Sequence, residues 1–240
     1  GYTTPKPLIP IHGVPMMQLV LENLRPSTPC RFICLCLSEH IRDYGIDEHL
    51  KKWAGDQVVV VEVDRVTEGA ACTVLLARDY IDNDDPLMIA NCDQWIDWSI
   101  DDYLQAMQDQ EADGFIMTMW ADDPKWSFAR LDNEGNATEV VEKQVVSNEA
   151  TVGIYNYATG RSFVSAADAM IKQDLRINNE FYVAPAYNVL IAQGQRIRCQ
   201  NIGKENDGMY GLGIPSDLEK FVASDLSKRA VAGIANADKS

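Results

Sequence analysis

The sequence predicts an α/β fold with a mixed central sheet flanked by helices, and two patterns support this prediction. In the first half of the chain, short apolar runs alternate with segments of helical period, which is the pattern of β-α-β units with parallel strands. From Gly114 onward, strand candidates follow one another and are joined by turns, which is typical of antiparallel strands. With 240 residues, 46% of them hydrophobic, and no Pro-rich or Ser-rich linker, the chain is long enough to form one compact domain.

The strands predicted in the first half are apolar runs that are rich in Val, Ile, Leu or Cys and too short for helices. They cover residues 32–37, 57–63 and 86–91. Helical periodicity predicts helices over residues 15–24, 39–53, 69–80 and 100–108. The first helix begins with Pro15, because proline suits the first position of a helix.

The second half opens with four strand candidates, at residues 115–120, 127–131, 138–143 and 152–157, with a hairpin turn at 132–136. Helices are predicted over 162–172 and 181–192, a strand over 196–202, a Gly-rich loop over 208–213 and a helix from about Pro215. Residues 229–240 are small and polar, so we expect a flexible C-terminal tail after a single domain over residues 1–228.

The charge balance excludes several classes of partner. Lys and Arg number 21 against 36 Asp and Glu, and the net charge of −15 repels nucleic acid and anionic membrane surfaces. No apolar run approaches the roughly 20 residues that cross a bilayer, and no signal peptide is visible. The six cysteines form no CxxC pair, which predicts buried free thiols and a cytoplasmic location. A small anionic ligand could still bind in a locally basic cleft.

Lys6 stands between two prolines near the start of the chain. Because each proline fixes φ, the lysine is held on a stiff segment and presents its ammonium group in a defined direction. The alternative is a solvated lysine in a Pro-rich loop.

Asn91 and Asp93 come just after the strand predicted at 86–91. Open α/β sheets bind ligands beyond the carboxyl ends of their strands, where a carboxylate can reach a hydrated Mg²⁺ that carries substrate phosphates. The alternative for Asp93 is a helix cap or a turn. Glu68 and Gly69 join another strand region to a helix, and Gly69 would let a ligand approach the backbone amides.

Two further pairs could bind an anionic substrate. Glu142 and Lys143 lie next to each other on a predicted strand, so their side chains point to opposite faces and one of them faces the ligand. Lys125 and Trp126 lie in a turn and could supply a phosphate contact and a stacking surface. An exposed turn anchored by Trp126 is the alternative.

Several common mechanisms lack their motifs. The three histidines have no HExxH or carboxylate spacing of a zinc site, and there is no GxSxG, which argues against zinc hydrolysis and Ser-based triad hydrolysis. GxGxxG and GxxxxGK[ST] are also missing, which argues against a dinucleotide oxidoreductase and a P-loop kinase.

The ordered set of motifs resembles the sugar-phosphate nucleotidyltransferase family over nearly the whole chain. It consists of PKPLIP with GVPM (residues 5–10 and 13–16), EGAA (68–71), NCD (91–93), EK (142–143), VGIY (152–155) and GLGIPSDL (211–218). DPKWS (123–127) and NEFYV (179–183) are similar to a bacterial branch associated with capsular and surface polysaccharides, which includes cytidylyltransferases.

The resemblance implies a GT-A-like, Rossmann-related fold and the reaction of an NTP with a sugar 1-phosphate to give an NDP-sugar and pyrophosphate. It implies a nucleotide-binding half over residues 1–112 and an acceptor-binding half over residues 113–228. Within this scheme the expected catalytic residues are Lys6, Asp93 and Lys143, with Asp93 binding Mg²⁺. Nucleotide contacts are expected from Glu68, Gly69 and Asn91, and acceptor contacts from Lys125, Trp126, Glu142 and Glu180.

The chain departs from the family pattern at two places. The family's Gly-rich loop and first strand precede the Pro-Lys-Pro segment, so we expect them upstream of Gly1, with an open groove beside the strand ending at Ala90 or disorder near Tyr2. The family's late metal-binding Asp falls at Gly211, and Asp207 or Glu205 could replace it.

Glu68 favours CTP as the nucleotide, because its carboxylate could accept a hydrogen bond from the exocyclic amine of cytosine. Adenine offers the same amine.

A GT-A glycosyltransferase is a competing prediction, although it would normally have Asp where this chain has Asn91. A non-catalytic nucleotide-sensing subunit is another. The expected partners are an NTP and a phosphorylated small molecule, and the sequence leaves a homo-oligomer open.

Overall fold

A computed structural model describes residues 4–237 of the chain. Its strands are β1 Pro10–Ile11, β2 Val14–Pro15, β3 Phe32–Leu37, β4 Val58–Val63, β5 Leu87–Ala90, β6 Gln94–Ile96, β7 Gly114–Trp120, β8 Ser127–Leu131, β9 Ala137–Glu142, β10 Glu149–Tyr157, β11 Ile197–Glu205 and β12 Gly208–Gly211. Its helices are α1 Met16–Asn23, α2 Ser38–Tyr44, α3 Ile46–Ala54, α4 Ala70–Leu75, α5 Arg78–Ile81, α6 Ile100–Asp109, α7 Gly160–Lys172, α8 Tyr187–Ala192, α9 Pro215–Ala223 and α10 Asp225–Ala237.

The main sheet is mixed, as the sequence predicts. Its strand order is β6-β12-β11-β7-β10-β8-β9, and β5 also pairs with β10. The strands β12, β11 and β7 run parallel, whereas β10 is antiparallel to β7, β5 and β8. β3 and β4 form a separate parallel pair. Parallel pairing is therefore not confined to the first half of the chain, as the sequence pattern predicts, because β7, β11 and β12 all follow residue 113 and β11 returns to lie parallel to β7.

The strand that ends at Ala90 pairs along one edge only within the described residues, and the groove expected beside it stays a prediction. Within residues 4–237, β5 pairs with β10 alone, and β3 pairs with β4 alone. These strands therefore present backbone N–H and C=O groups that could pair with a further strand. The expectation of disorder near Tyr2 concerns a residue outside the described part of the chain.

The core lies on both faces of the main sheet. Alternation along β7 buries Phe115 and Met117 in one apolar cluster and Ile116 in the other. The first cluster includes apolar residues of α1, α6, α9 and α10, and the second includes those of α4, α7 and α8. Both layers fix the ends of β5, β6, β9 and β12, where the candidate site residues lie.

The C-terminal segment differs from the prediction of a flexible tail over 229–240. Residues up to Ala237 belong to α10, and residues 238–240 lie outside the described part of the chain. Val231 and Ile234 are spaced by one helical turn and are buried in the core, and Ser224 accepts a hydrogen bond from the N–H of Ser227 at 3.2 Å. Two apolar residues at helical spacing therefore suffice to dock a segment that is otherwise small and polar.

Other differences are local. The helix predicted over 39–53 is divided at Gly45, whose φ of +61° ends α2 and precedes α3. The helix predicted over 69–80 is likewise two short helices, α4 and α5. Part of the predicted Gly-rich loop is the strand β12, which pairs with both β11 and β6. No helix within residues 4–237 has the length and apolar character needed to span a membrane.

Candidate active site

The candidate site lies where one edge of β10 changes its partner. β5 pairs with residues 154–157 of β10, whereas β8 pairs with it at Ala150. Over the same interval the pairing of β10 with β7, on its other edge, shifts register, and Gly153 adopts a φ of +81° there. Residues 151–153 of β10 therefore pair with neither β5 nor β8, and we call this interval between the two strands the crevice. Open α/β sheets bind ligands at comparable places beyond their strand ends.

Lys6 and Asp93 form an ion pair on the β5 side of this crevice. Lys6 Nζ lies 3.1 Å from Asp93 Oδ2, and both side chains are partly exposed. Gly213 packs against the pair, because a β-carbon on it would lie 2.5 Å from Asp93 Oδ2 and 3.6 Å from Lys6 Nζ. Lys6 and Gly213 also line a cavity of about 230 Å³. The structure thus brings two predicted catalytic residues together beside a space that a ligand could enter.

A second carboxylate, that of Asp217, lies near the end of β12, just before Gly213. Asp217, in the first turn of α9, has its Oδ2 at 3.4 Å from the position that a β-carbon on Gly211 would occupy. Gly211 comes two residues before Gly213, and the N–H of the intervening Leu212 donates to the carbonyl of Asp93 at 2.8 Å. The Asp217 carboxylate therefore lies beside Gly211 and the Asp93 carboxylate beside Gly213, two residues further along the same segment.

Two carboxylates are the kind of ligand that a magnesium ion takes from a protein, with substrate phosphates and water as its other ligands. Within residues 4–237, no group of three or more His, Cys, Asp or Glu side chains is arranged to hold a metal by itself. A magnesium ion on Asp93 and Asp217 would therefore need substrate phosphate oxygens and water to complete its coordination.

Asp207 and Glu205, the sequence-based candidates for a second metal ligand, are not brought to Asp93. Glu205 accepts a hydrogen bond from Lys125 at 3.0 Å, and Asp207 lies 3.7 Å from Lys204. Both residues precede β12, whereas the segment that contacts Asp93 follows it. β12 therefore separates Glu205 and Asp207 from the segment beside Asp93. The carboxylate that lies beside Gly211 in space belongs to Asp217, which is not one of the residues just before β12 in the sequence.

Glu142 is the buried acid on the other side of the crevice. It ends β9, is 9% exposed and accepts a short hydrogen bond from the hydroxyl of Ser127 on β8. Burial raises the pKa of Glu142, while the Ser127 hydrogen bond and the charge of Lys143 oppose that rise. Burial also raises the pKa of Tyr155 to about 12, and the Tyr155 hydroxyl is hydrogen-bonded to Thr151 at 2.9 Å. Hydroxyl groups and one poorly hydrated carboxylate therefore line this side.

Lys143 follows Glu142 with a φ of +55°. Its Nζ donates to the hydroxyl of Tyr182 at 3.1 Å, and this hydrogen bond raises the pKa of Lys143. The charge of Glu180 acts on both Glu142 and Lys143. Two predicted acceptor-binding residues, Glu142 and Glu180, are therefore neighbours of the predicted catalytic residue Lys143. Tyr182 is a fourth member of this group, which the sequence did not single out as a site residue.

Lys125 and Trp126 contact this group through the backbone, whereas the Lys125 side chain is paired elsewhere. The carbonyl of Trp126 accepts a hydrogen bond from the N–H of Lys143 at 3.0 Å, so the backbone of the turn adjoins the acceptor side. The ammonium of Lys125 lies 4.9 Å from the centre of the Trp126 ring and is paired with Glu205. Lys125 would have to leave Glu205 to contact a phosphate.

Gly69 approaches another part of the protein rather than open space. Its φ is +128°, and a β-carbon on it would lie 2.5 Å from the backbone N of Phe181. The Glu68 carbonyl accepts a hydrogen bond from that N–H at 2.8 Å, while its carboxylate pairs with Arg176 at 2.6 Å. Arg176 also lies 4.4 Å from the centre of the Phe181 ring. The contact of Gly69 and Glu68 with a nucleotide stays a prediction.

Two amide side chains meet above Gly153. A β-carbon on Gly153 would collide with Nδ2 of Asn91 and would lie 3.0 Å from Oε1 of Gln94. The backbone N–H of Asn91 also donates to the Gly153 carbonyl at 3.1 Å. Asn91 is a predicted site residue, but Gln94 is not. A glutamine at the start of the buried strand Gln94–Ile96 was the signal that could have identified it.

Comparison with known proteins gives a family and a fold. The profile of the nucleotidyl transferase family matches residues 1–185. No curated sequence matches the chain. A nucleoside-diphosphate-sugar pyrophosphorylase from Vibrio cholerae RC9 is similar in structure, with a TM-score of 0.78 and 22% identity over 93% of both chains.

Two further solved structures are similar. An inositol-1-phosphate CTP transferase from T. maritima has a TM-score of 0.72 and 17% identity over 96% of this chain and 89% of its own. A UDP-glucose pyrophosphorylase in complex with UDP-glucose has a TM-score of 0.73 and 16% identity over 95% of this chain and 92% of its own. These likenesses show the Rossmann-like nucleotidyltransferase fold that the sequence predicts.

The family profile covers most of the chain, including Lys6, Asp93 and Lys143. The fold and the ordered motifs agree with it. The chain therefore belongs to the nucleotidyl transferase family and is a nucleotidyltransferase.

Proposed function

We propose that this enzyme transfers a nucleoside monophosphate from an NTP to a sugar phosphate or a similar phosphorylated small molecule, with release of pyrophosphate. The observation that carries the proposal is the position of two lysines around the Gly153 crevice. Lys6 lies beside Asp93 after β5, and Lys143 follows Glu142 at the end of β9. Two anionic substrates that react with each other need a cation for each of them.

In this reaction an oxygen of the acceptor phosphate attacks the α-phosphorus of the NTP, and the bond between that phosphorus and the pyrophosphate oxygen breaks. Lys6 neutralises charge on the triphosphate, and Lys143 holds the acceptor phosphate, with Lys125 as a further cation near the acceptor. By comparison with lost transition-state donors in other enzymes, each well-placed cation contributes a factor on the order of 10²–10³. Local cations thus allow a chain of net charge −15 to bind polyanions.

Asp93 and Asp217 would hold Mg²⁺ in this scheme. The ion would neutralise phosphate charge and align the reacting oxygens. Lys6 then exchanges its contact with Asp93 for contacts with phosphate oxygens. This exchange costs little, because a partly exposed ion pair contributes only about 0–1 kcal/mol to stability.

CTP is the nucleotide that we favour. The Glu68 carboxylate could accept a hydrogen bond from the cytosine amine, with Gly69 and Asn91 nearby in the nucleotide-binding half. Glu68 is 64% exposed but paired with Arg176, so the base would compete with that arginine. A solved structure of similar fold is an inositol-1-phosphate CTP transferase, so this fold is compatible with CTP and a hydroxylated phosphate acceptor.

The biological role that we assign is the activation of a building block for capsular or surface polysaccharide, in the cytoplasm. The support for this role is the resemblance of residues 123–127 and 179–183 to the polysaccharide-associated branch.

The test is pyrophosphate release with each of the four NTPs against a panel of sugar phosphates, polyol phosphates and amino-alcohol phosphates. We expect release that requires both an NTP and a phosphorylated acceptor and that is fastest with CTP. NTP binding without release would instead indicate a nucleotide-sensing subunit. Consumption of an NDP-sugar with transfer of the sugar would indicate a glycosyltransferase, and either result would overturn the proposal.

A further inference from the structure

We propose that Arg196 and Arg198 form a second anion site, which binds a phosphate group at the end of the β8–β9 hairpin opposite the crevice. The phosphate group could be free, part of a pyrophosphate or part of a small metabolite. The inference goes beyond the proposed function and does not depend on it, because neither Lys6 nor Lys143 belongs to this second site.

The first observation is a cavity of about 280 Å³ at the start of β11. The arginines lie on either side of Ile197, the first residue of that strand. The other lining residues come from the end of α6 and from the turn between β8 and β9, and all of the lining side chains are polar or charged: Gln110, Glu134, Asn136, Arg196 and Arg198. The cavity is therefore suited to a small polar or charged ligand.

The second observation is the way in which Arg198 is held. Its Nε donates to Gln110 Oε1 at 2.9 Å, and its Nη1 donates to the carbonyl of Glu134 at 2.6 Å and to Asn136 Oδ1 at 3.1 Å. A β-carbon on Gly135 would lie 3.6 Å from Cζ, Nη1 and Nη2 alike, so the guanidinium plane lies flat against this glycine. These partners are neutral groups, so they orient the guanidinium group without neutralising its charge.

The third observation is that both arginines have unused donors. Within residues 4–237 the half-buried Arg198 forms no ion pair, and its Nη2 makes no hydrogen bond. Nη1 of Arg196 lies 3.3 Å from the carbonyl of Gln110 and 3.8 Å from the carboxylate of Glu111, while its Nε and Nη2 make no hydrogen bond in the described chain. Charges withdrawn from water are usually paired, and guanidinium N–H groups match phosphate oxygens in geometry. The group that would satisfy both arginines is therefore an anion.

The β8–β9 hairpin separates this cavity from the crevice. Ser127 pairs with Glu142 at the crevice end of the hairpin, and Leu131 pairs with Ala137 beside the turn. At the rise of a β-strand, the four steps from Ser127 to Leu131 span about 13 Å. A phosphate group in the cavity would thus occupy a site different from that of the acceptor.

Acidic side chains near the cavity weaken anion binding and offer a test of opposite sign. Glu134 is exposed and, among the described residues, its carboxylate forms no ion pair, so it can turn toward water. Asp132 is held by the N–H groups of Glu134 and Asn136 at 2.9 Å and 2.8 Å, and Asp113 accepts from the N–H of Arg196 at 2.8 Å. Removing the Glu134 charge should therefore tighten the binding of phosphate.

The test is a titration of the whole chain with inorganic phosphate, followed by the amide NMR signals of Gly135 and Asn136. For a few charge-assisted hydrogen bonds we expect a dissociation constant on the order of 1 mM. Arg196→Gln gives up little within the protein and should raise this constant about tenfold. Glu134→Gln should lower it about threefold, the effect of one exposed charge.

The matched control is Arg130→Gln on β8. Arg130 is 51% exposed, against 53% for Arg196, and its loss removes the same charge from the same hairpin. It should change the dissociation constant by less than about twofold. Equal weakening by Arg130→Gln and Arg196→Gln would show a general charge effect and would overturn the inference.

Two further titrations identify the source of the phosphate group. Tighter binding of pyrophosphate than of phosphate would indicate a diphosphate ligand, and tighter binding of glycerol phosphate would indicate a phosphorylated metabolite. The signal of Gly213 reports on the catalytic site in each titration, and in Lys143→Ala the response of Gly135 should persist. The inference is wrong if Gly135 and Asn136 respond to none of the three anions, or if their response is lost in Lys143→Ala.

Discussion

The ammonium of Lys6 lies 3.1 Å from the carboxylate of Asp93, although the two residues are 87 positions apart in the sequence. Their side chains are 47% and 32% exposed, so water and ions can reach the pair. An ion pair of this kind adds little to stability. We infer that its value lies in holding two charged groups at the place where phosphates and a cation would bind.

Asp93→Asn should abolish most turnover and leave the fold intact. The change removes the charge that would hold the metal ion while keeping the shape of the side chain, so we expect a loss of about 10²–10³ in kcat/KM. The free energy of unfolding should change by less than about 1 kcal/mol. Pyrophosphate release and urea unfolding would measure the two effects.

The matched control for this variant is Asp168→Asn, which removes a carboxylate from a partly exposed ion pair with Arg78. It should change neither activity nor stability by more than a small amount. Near-normal Mg²⁺-dependent activity in Asp93→Asn would show that the metal assignment is wrong.

Gly213→Ala should reduce activity by displacing the Asp93 side chain. The new β-carbon would lie 2.5 Å from Oδ2, which is closer than such atoms pack, so the carboxylate must shift from its position beside Lys6. We expect a loss of kcat of about tenfold to 100-fold, since small misplacements of catalytic groups have effects of this size. The comparison variant is Gly233→Ala on α10, where nothing lies within 4 Å of the added carbon and activity should be unchanged. Equal kinetics for both variants would contradict the assigned role.

Asp217→Asn should weaken the binding of a divalent cation. If the carboxylate next to Gly211 helps to hold the ion, its loss should raise the dissociation constant for Mn²⁺ in the presence of NTP by about tenfold or more. Electron paramagnetic resonance of free Mn²⁺ measures this without turnover. Asp207→Asn, on the far side of β12, is the control and should leave Mn²⁺ binding unchanged. If Asp207→Asn weakened Mn²⁺ binding more than Asp217→Asn did, Asp207 would be the second metal ligand, as the sequence suggests.

Lys143→Ala should weaken acceptor binding more than NTP binding. Lys143 contacts Tyr182 and neighbours Glu142 and Glu180, all on the acceptor side of the crevice. We expect the acceptor KM to rise by about 10-fold to 100-fold, with less than about a threefold change for the NTP. Separate titrations of the two substrates decide the matter. Lys51→Ala, on α3, is the surface control, and an equal loss for both substrates would indicate a general electrostatic effect.

Glu142→Gln should remove a pH dependence from stability. Burial raises the pKa of Glu142 in the folded protein, so the native state holds its proton to higher pH than the unfolded chain. The contribution of Glu142 is therefore most favourable below the unfolded value of 4.5 and falls as the pH rises from there to the folded pKa. Ser127 and Lys143 oppose the shift, and Glu180 adds to it.

We accordingly expect Glu142→Gln to lose less stability than wild type between pH 4.5 and pH 7, measured by denaturant unfolding at several pH values. Acceptor binding should weaken in the same variant. If the free energy of unfolding depended on pH in the same way for wild type and variant, Glu142 would ionise in the folded protein as it does in the unfolded chain.

Local patterns in the sequence determined much of the fold. The strands at 32–37 and 127–131 have the predicted bounds, and α1, α6, β4, β5, β7 and β9 end within one or two residues of prediction. These elements are fixed by apolar periodicity and by turn residues, which act over a few positions and can be read in order. Gly45 is a local signal too, since its left-handed conformation divides a helix that periodicity alone would continue.

The tertiary structure alone decided what surrounds each functional group. Lys6, Asp93 and Gly213 can be identified in the sequence, but their contact depends on strand pairings between distant segments. The carboxylate beside Gly211 comes from Asp217, because α9 folds back on the end of β12, whereas Asp207 lies at the other end of that strand. The closeness of the Gln94 side chain to Gly153 likewise joins two segments that are distant in the sequence. Sequence periodicity reports which face of an element is apolar, but a site is assembled by long-range packing, which determines the neighbours that meet there.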